Sequence, residues 1–78
     1  MTDPATDYAE LGRALAALRR KAGVTQAYAG ARIEVSDKHL SAVENGTRGI
    51  SWPTLMALLR TYRATLRDLA EEIERGQS

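Results

Sequence analysis

The stretch from Thr25 to Gly46 constrains this chain most. Thr25-Gln26 opens one short helical segment, Val35-Ser36 marks a tight turn, and Asp37-Lys38-His39-Leu40-Ser41-Ala42-Val43-Glu44-Asn45 forms a second segment that stops at Gly46. Thr25 and Ser36 carry side-chain oxygens of the kind that accept the orphaned N–H groups of a helix start. Gly46 can take the left-handed conformation that closes a helix. At about 100° per residue, Leu40 and Val43 share one side of the second segment, with Val35 anchoring its entry. Lys38, Ser41, Ala42 and Asn45 fall on the other side, flanked near the N-terminal end by Asp37 and His39. Segments this short are not stable alone in water, so neighbouring helices must hold them.

The remaining sequence supplies those helices. Leu, Ala, Arg and Glu dominate and no β-branched alternation is present, so the expected class is all-α, with five helices. The first spans about 8–22, with Asp7 as N-cap and Glu10 three residues on; Leu11, Leu15, Leu18 and Ala22 mark its buried stripe. Arg19-Arg20-Lys21 suit the negative end of its dipole before Gly23 ends it. The second and third span about 26–32 and 37–45. Ser51 caps the fourth, which has Pro53 in its first turn and Leu55, Leu58, Leu59 and Tyr62 as its apolar face. Thr65 caps the fifth, about 66–75, with Leu66, Leu69 and Ile73 on one side; Gly76-Gln77-Ser78 are expected to fray.

Seventy-eight residues make one domain, with an ordered core expected over about 7–75. The lack of cysteine rules out disulfide and thiol chemistry and fits a reducing cytoplasm. Met1-Thr2-Asp3-Pro4 lacks the basic-then-apolar layout of a signal peptide, and no apolar run approaches the roughly 20 residues that span a bilayer. The net charge of +1 hides an uneven distribution. Residues 1–10 hold three acids and no base, 11–67 hold ten Lys/Arg against three acids, and 68–78 hold four acids against Arg75. A basic middle with acidic ends suits a DNA-facing surface with the tail held away from it; equally, charges of both signs keep a domain soluble. Ala/Arg-rich composition is in keeping with a GC-rich bacterial or phage genome.

The two short helices about a turn read as a helix-turn-helix, a device that lays one helix in the DNA major groove. A plain surface helix would usually carry Glu/Lys pairs where this one carries short, mixed side chains around Ala42, which permits close approach and can touch a thymine methyl. Lys38 is the candidate for guanine O6/N7, and Asp37 either accepts from cytosine N4 or serves the helix dipole as a first-turn acid. His39, the only histidine, has no second His or Cys with which to hold a metal and reads as a phosphate neighbour or a surface group.

These residues carry a resemblance. Leu11-Gly12, Leu15, Leu18-Arg19, Gly23-Val24-Thr25-Gln26, Val35-Ser36, Leu40-Ser41, Val43-Glu44-Asn45-Gly46-Thr47-Arg48, Leu55 and Leu58-Leu59 follow in order and at fixed spacing. Over about residues 11–70 the chain resembles the lambda-repressor-like, xenobiotic-response-element family of helix-turn-helix regulators. The resemblance implies a compact five-helix DNA-binding fold. It implies that Asp37, Lys38, Ser41 and Ala42 face base edges, and that Gln26, His39, Asn45, Thr47 and Arg48 lie near the DNA backbone, with Gln26 also buttressing the third helix. It further implies a partly buried Arg19–Glu44 ion pair. That pair is physically reasonable because Glu44 lies on the inner flank of its helix and needs a partner if buried; Arg19 alone could equally belong to a solvated Arg-Arg-Lys cluster.

The departures are specific. The family usually has Leu at the position of Ala29 and Ala at that of Gly30, a glycine that costs a helix about 1 kcal/mol relative to Ala. Tyr28 is expected to lean into the space Ala29 leaves. The turn normally holds a glycine where this chain has Glu34; either Glu34 takes a left-handed conformation at roughly 1–2 kcal/mol or the turn is built differently.

The expected function is sequence-specific double-stranded DNA binding by a transcriptional regulator, a repressor reading a palindromic operator as a homodimer, since one helix in one groove is a small interface. Leu66, Leu69, Ala70 and Ile73 are the candidate dimer surface. Trp52 covers the core, joins the dimer seam or lies beside DNA. No catalytic constellation, phosphate loop or dinucleotide motif is visible, so an enzyme is not expected, nor is a cofactor, a metal or a small-molecule ligand. The rival is a protein-interaction module, such as an antitoxin or a partner of the transcription machinery.

Overall fold

The computed structural model describes residues 4–77, with side chains from residue 8 onward. Five helices follow one another: α1 Pro4–Ala22, α2 Gln26–Arg32, α3 Asp37–Glu44, α4 Trp52–Thr61 and α5 Leu66–Gln77. Among the described residues there is no strand.

Local chemistry starts four of these helices. Thr25 Oγ1 accepts from the Tyr28 N–H at 3.0 Å, and Ser36 Oγ accepts from the His39 N–H at 3.0 Å. Ser51 Oγ takes the Thr54 N–H at 3.4 Å. Thr65 and Asp68 close a reciprocal box, with Asp68 N donating to Thr65 Oγ1 at 3.1 Å and Thr65 N donating to Asp68 Oδ2 at 2.8 Å. That backbone N–H holds the Asp68 carboxyl below its ordinary pKa. The first helix differs from expectation. It begins at Pro4, a residue suited to a first turn, so Asp7 lies inside it rather than capping it; its side chain is outside the described residues.

The ends of α1 to α4 share one device. In each, a left-handed residue lets the next N–H bond back to a carbonyl five residues earlier: Val24 to Arg19 at 3.3 Å, Val35 to Gly30 at 2.8 Å, Thr47 to Ala42 at 3.0 Å and Ala64 to Leu59 at 2.8 Å. Gly23 and Gly46 supply the conformation at φ 75° and 77°, but Glu34 and Arg63 adopt it without being glycine, at 59° and 54°. The turn before α3 therefore keeps the left-handed form, and Glu34 bears the strain.

The core is formed by Ala14, Leu15 and Leu18 of α1, Ala29 of α2, Leu40 and Val43 of α3, Leu55, Leu58, Leu59 and Tyr62 at α4, and Leu69 of α5. Ala22 is exposed, a correction to the predicted stripe: it lines the rim of an open cleft at the end of α1. Helix α1 is the spine, lying along α5 and across α3, while α2 packs on α3 and α4. Tyr28 is 52% exposed and does not fill the space beside Ala29. Gly76 and Gln77 are helical rather than frayed, and Gln77 Nε2 donates to Glu10 Oε2 at 3.0 Å; Ser78 is outside the described residues.

Candidate nucleic-acid interface

Helix α3 has two unlike sides. Leu40 and Val43 are 0% and 3% exposed and face the core, joined by Glu44. Asp37 and Lys38 are exposed, and His39, Ser41 and Ala42 are half-exposed on the side away from it. Among the described residues the sequence-predicted base-reading set lies together on that side, Asp37 and Lys38 open and Ser41 and Ala42 partly so.

Backbone proximity holds α3 in place. A Cβ on Gly12 would collide with Val43 O, so the middle of α1 rests directly on the main chain of α3. A Cβ on Gly30 would collide with Val35 O, so the same requirement holds where α2 meets the turn. The helix cost of Gly30 is thus offset by a close approach that Ala would block. Sequence reasoning missed both roles; the available signal was a glycine inside an otherwise good helical pattern.

Charge locks the same joint. Arg19 Nε donates to Glu44 Oε2 at 2.7 Å and Arg19 Nη2 to Glu44 Oε1 at 3.2 Å, a two-pronged pair. Arg19 Nη1 also donates to Val24 O at 2.9 Å, and Gln26 Nε2 donates to Glu44 Oε1 at 2.8 Å. One carboxylate therefore ties α1, the turn after it, α2 and α3. The hydrogen bonding of Arg19 to the Glu44 carboxylate raises the Arg19 pKa above its ordinary value and outweighs desolvation. Tyr62 lies in the same field: burial first, then the Glu44 charge, push its phenol up to about 12. Its Oη is buried without a hydrogen-bond partner among the described residues.

The predicted backbone-contacting residues divide. Asn45, Thr47 and Arg48 are exposed in the loop that follows α3, and Gln26 is half-buried at the start of α2. Gln26 spends one amide proton on Glu44 and keeps a second. Thr47 Oγ1 donates to Ala42 O at 3.1 Å, which helps to close α3, and the residue stays exposed beside Arg48. The proposed dimer stripe divides as well. Leu69 is 5% exposed and belongs to the core, and Ile73 packs against it, because this side of α5 is the one that meets α1. Only Leu66, 44% exposed, and Ala70 remain open to a partner. Trp52 does not cover the core; it is 61% exposed at the start of α4.

A second charged cluster, absent from the sequence reading, lies across α1 from this joint. Buried Glu72 receives Arg75 Nη1 at 2.7 and 2.9 Å and has Lys21 Nζ at 3.4 Å, while Arg13 Nη2 donates to the Glu72 carbonyl. The cleft beside it, about 210 Å³, is lined by Lys21, Tyr62, Arg63, Glu72 and Arg75 among others. Among the described residues no group of three or more His, Cys, Asp or Glu could hold a metal ion, and no helix is long and apolar enough to cross a membrane.

Two short helices locked at a turn, with the second open to solvent along its polar side, define a helix-turn-helix DNA-binding regulator of the xenobiotic-response-element type, not an enzyme. The chain belongs to the helix-turn-helix domain family, whose model matches residues 10–77. Among solved structures it is similar to the clp gene regulator ClgR from Corynebacterium glutamicum. One structure of that protein aligns with TM-score 0.83 and 28% identity, covering 88% of this chain and 73% of the other. A second aligns with TM-score 0.83 and 27% identity, covering 91% and 92%. The restriction-modification controller protein C.AhdI from Aeromonas hydrophila aligns with TM-score 0.80 over 87% of this chain and 99% of its own; at 24% identity it speaks to the fold alone. Among curated proteins no sequence matches the chain.

Proposed function

We propose that the protein is a repressor that reads a palindromic operator as a homodimer, with α3 of each copy in the major groove. The observation that carries this is the open polar side of α3 on a helix whose other side is fixed by Gly12 and the Arg19–Glu44 pair. Lys38 takes a guanine, Ala42 meets a thymine methyl, and Asp37 and Ser41 contact neighbouring base edges. Arg48, Asn45, His39 and the second amide proton of Gln26 face phosphates and set the register without reading sequence. The similarity to a clp gene regulator supports a role in controlling transcription. Two copies supply the interface area that one module lacks, and Leu66 and Ala70 are the members of the α5 stripe still open to a twin.

The test is selection of duplexes from a random pool, followed by salt titration of mutants. Lys38→Ala is expected to weaken binding by about 1–3 kcal/mol and relax preference at one base pair. Arg48→Ala is expected to weaken all sequences alike and lower the salt slope by about one unit. If both variants bind every duplex as the parent does, α3 is not the reading helix. Sedimentation with and without the selected duplex checks the homodimer.

A further inference from the structure

We propose that Tyr8 is a further DNA-backbone residue and the positioning residue of the loop between α3 and α4; this rests on the operator-binding reading above. The family match begins at residue 10, so Tyr8 and Ala9 precede the part of the chain that the family describes. They nevertheless form the wall against which that loop folds. The ideal Cβ position of Gly46 lies 2.6 Å from Ala9 Cα. At Gly49 it lies 3.0 Å from Tyr8 Cζ and 3.1 Å from both Tyr8 Cε1 and Tyr8 Oη. The hydroxyl end of the ring thus rests on the Gly49 backbone, in a space that a side chain at 49 would fill.

The position of Gly49 gives this contact its meaning. Its Cα is one residue, about 3.8 Å, from that of Arg48, the exposed cation of the loop. Tyr8 stays 45% exposed despite the contact, so the ring has an apolar side on the loop and remains accessible to a partner. A phenol at the rim of a phosphate-facing loop is chemically suited to that place. The apolar body packs on glycine, and the O–H donates to a phosphate oxygen beside the one Arg48 approaches. The two residues then act differently. Arg48 releases counterions on binding; Tyr8 is neutral, contributes through a hydrogen bond, and holds Arg48 in register by fixing the backbone next to it.

The experiment measures binding to a labelled duplex recovered from the random pool, and to an unselected duplex, across a salt series. Tyr8→Phe keeps the ring and removes the hydroxyl. It is expected to weaken binding to both duplexes about three- to ten-fold with the salt slope unchanged. Tyr8→Ala is expected to weaken it further and to make a subsequent Arg48→Ala cost less than it does alone, because the loosened loop has already lost part of that contact. Gly49→Ala is expected to weaken binding when Tyr8 is present and to do little in the Tyr8→Ala background. Circular dichroism of each variant confirms that the helices are intact. Binding of Tyr8→Phe as tight as that of the parent overturns the assignment, whatever Tyr8→Ala does. Failure of the selection to enrich any duplex for the parent protein overturns the operator reading itself, and is thereby distinguished from failure of this one.

Discussion

Glu44 and Glu72 are both buried acids on helices that turn another side to water, with side chains 4% and 5% exposed. Their surroundings differ. Glu44 is met by Arg19, itself only 13% exposed, in a bidentate pair, and by Gln26 from a third helix. Glu72 is met by Arg75 one turn along its own helix and by Lys21, both close to 60% exposed. Equal burial of two carboxylates therefore conceals different dependence on partners. Removing a desolvated partner leaves a charge stranded; removing a solvated one leaves a place that water can take. The first pair orients the helix proposed to read DNA, whereas the second fastens α5 to the far side of α1.

The sharpest way to break this contrast is Arg19→Ala, which is expected to cost about 3–5 kcal/mol in urea unfolding because Glu44 is then buried and unpaired. A loss no greater than that of a Glu72 variant would mean that the two sites are alike. Next comes alkaline titration. The folded Tyr62 pKa of about 12 lies above its ordinary 10.0, so the stability it contributes is complete below pH 10 and is lost as pH rises through 12. The expected loss is up to about 2–3 kcal/mol, read as the difference between the parent and Tyr62→Phe over that window. Absence of a difference would mean that the Tyr62 phenol is not held in a desolvated place beside the Glu44 site. Glu72→Gln is expected to cost about 1 kcal/mol or less, shrinking further in high salt as screening takes over; a salt-insensitive cost of several kcal/mol would place Glu72 with Glu44. At neutral pH, Tyr62→Phe is expected to lie between no change and a gain of about 1 kcal/mol, since it removes a buried oxygen that has no partner. A clear loss would reveal a hydrogen bond from that phenol in solution.

Features governed by chemistry within three or four residues were legible in the sequence. Thr25, Ser36, Ser51 and Thr65 could be recognised as caps because the atoms they serve are close along the chain. Gly23 and Gly46 could be recognised as stops for the same reason, and Leu40 and Val43 as the inner side of α3 from periodicity alone. Whatever depends on distant segments was hidden. Asp7 mimics a cap, yet Pro4 starts α1 earlier. Leu69 looks like a spare apolar residue until α5 is seen to lie on α1. Glu72 reads as one more acid in a charged tail, because Arg13 and Lys21 approach it from about fifty residues away or more. Arg63 carries no compositional mark of the left-handed conformation it adopts. The candidate site was more legible than its support: the exposed side chains of α3 follow from a helical wheel, whereas the backbone contact at Gly12 requires the fold.

That contact at Gly12 has a consequence for how such a protein changes over time. Because α3 is seated through main-chain atoms, Leu40, Val43 and an ion pair on its hidden flank, little of the packing depends on the side chains that point outward. On the proposed reading, exchanging the exposed Asp37 and Lys38 should leave folding largely intact while retargeting the protein to other sites in a genome. Preference can drift, or be engineered, on a chassis that stays the same.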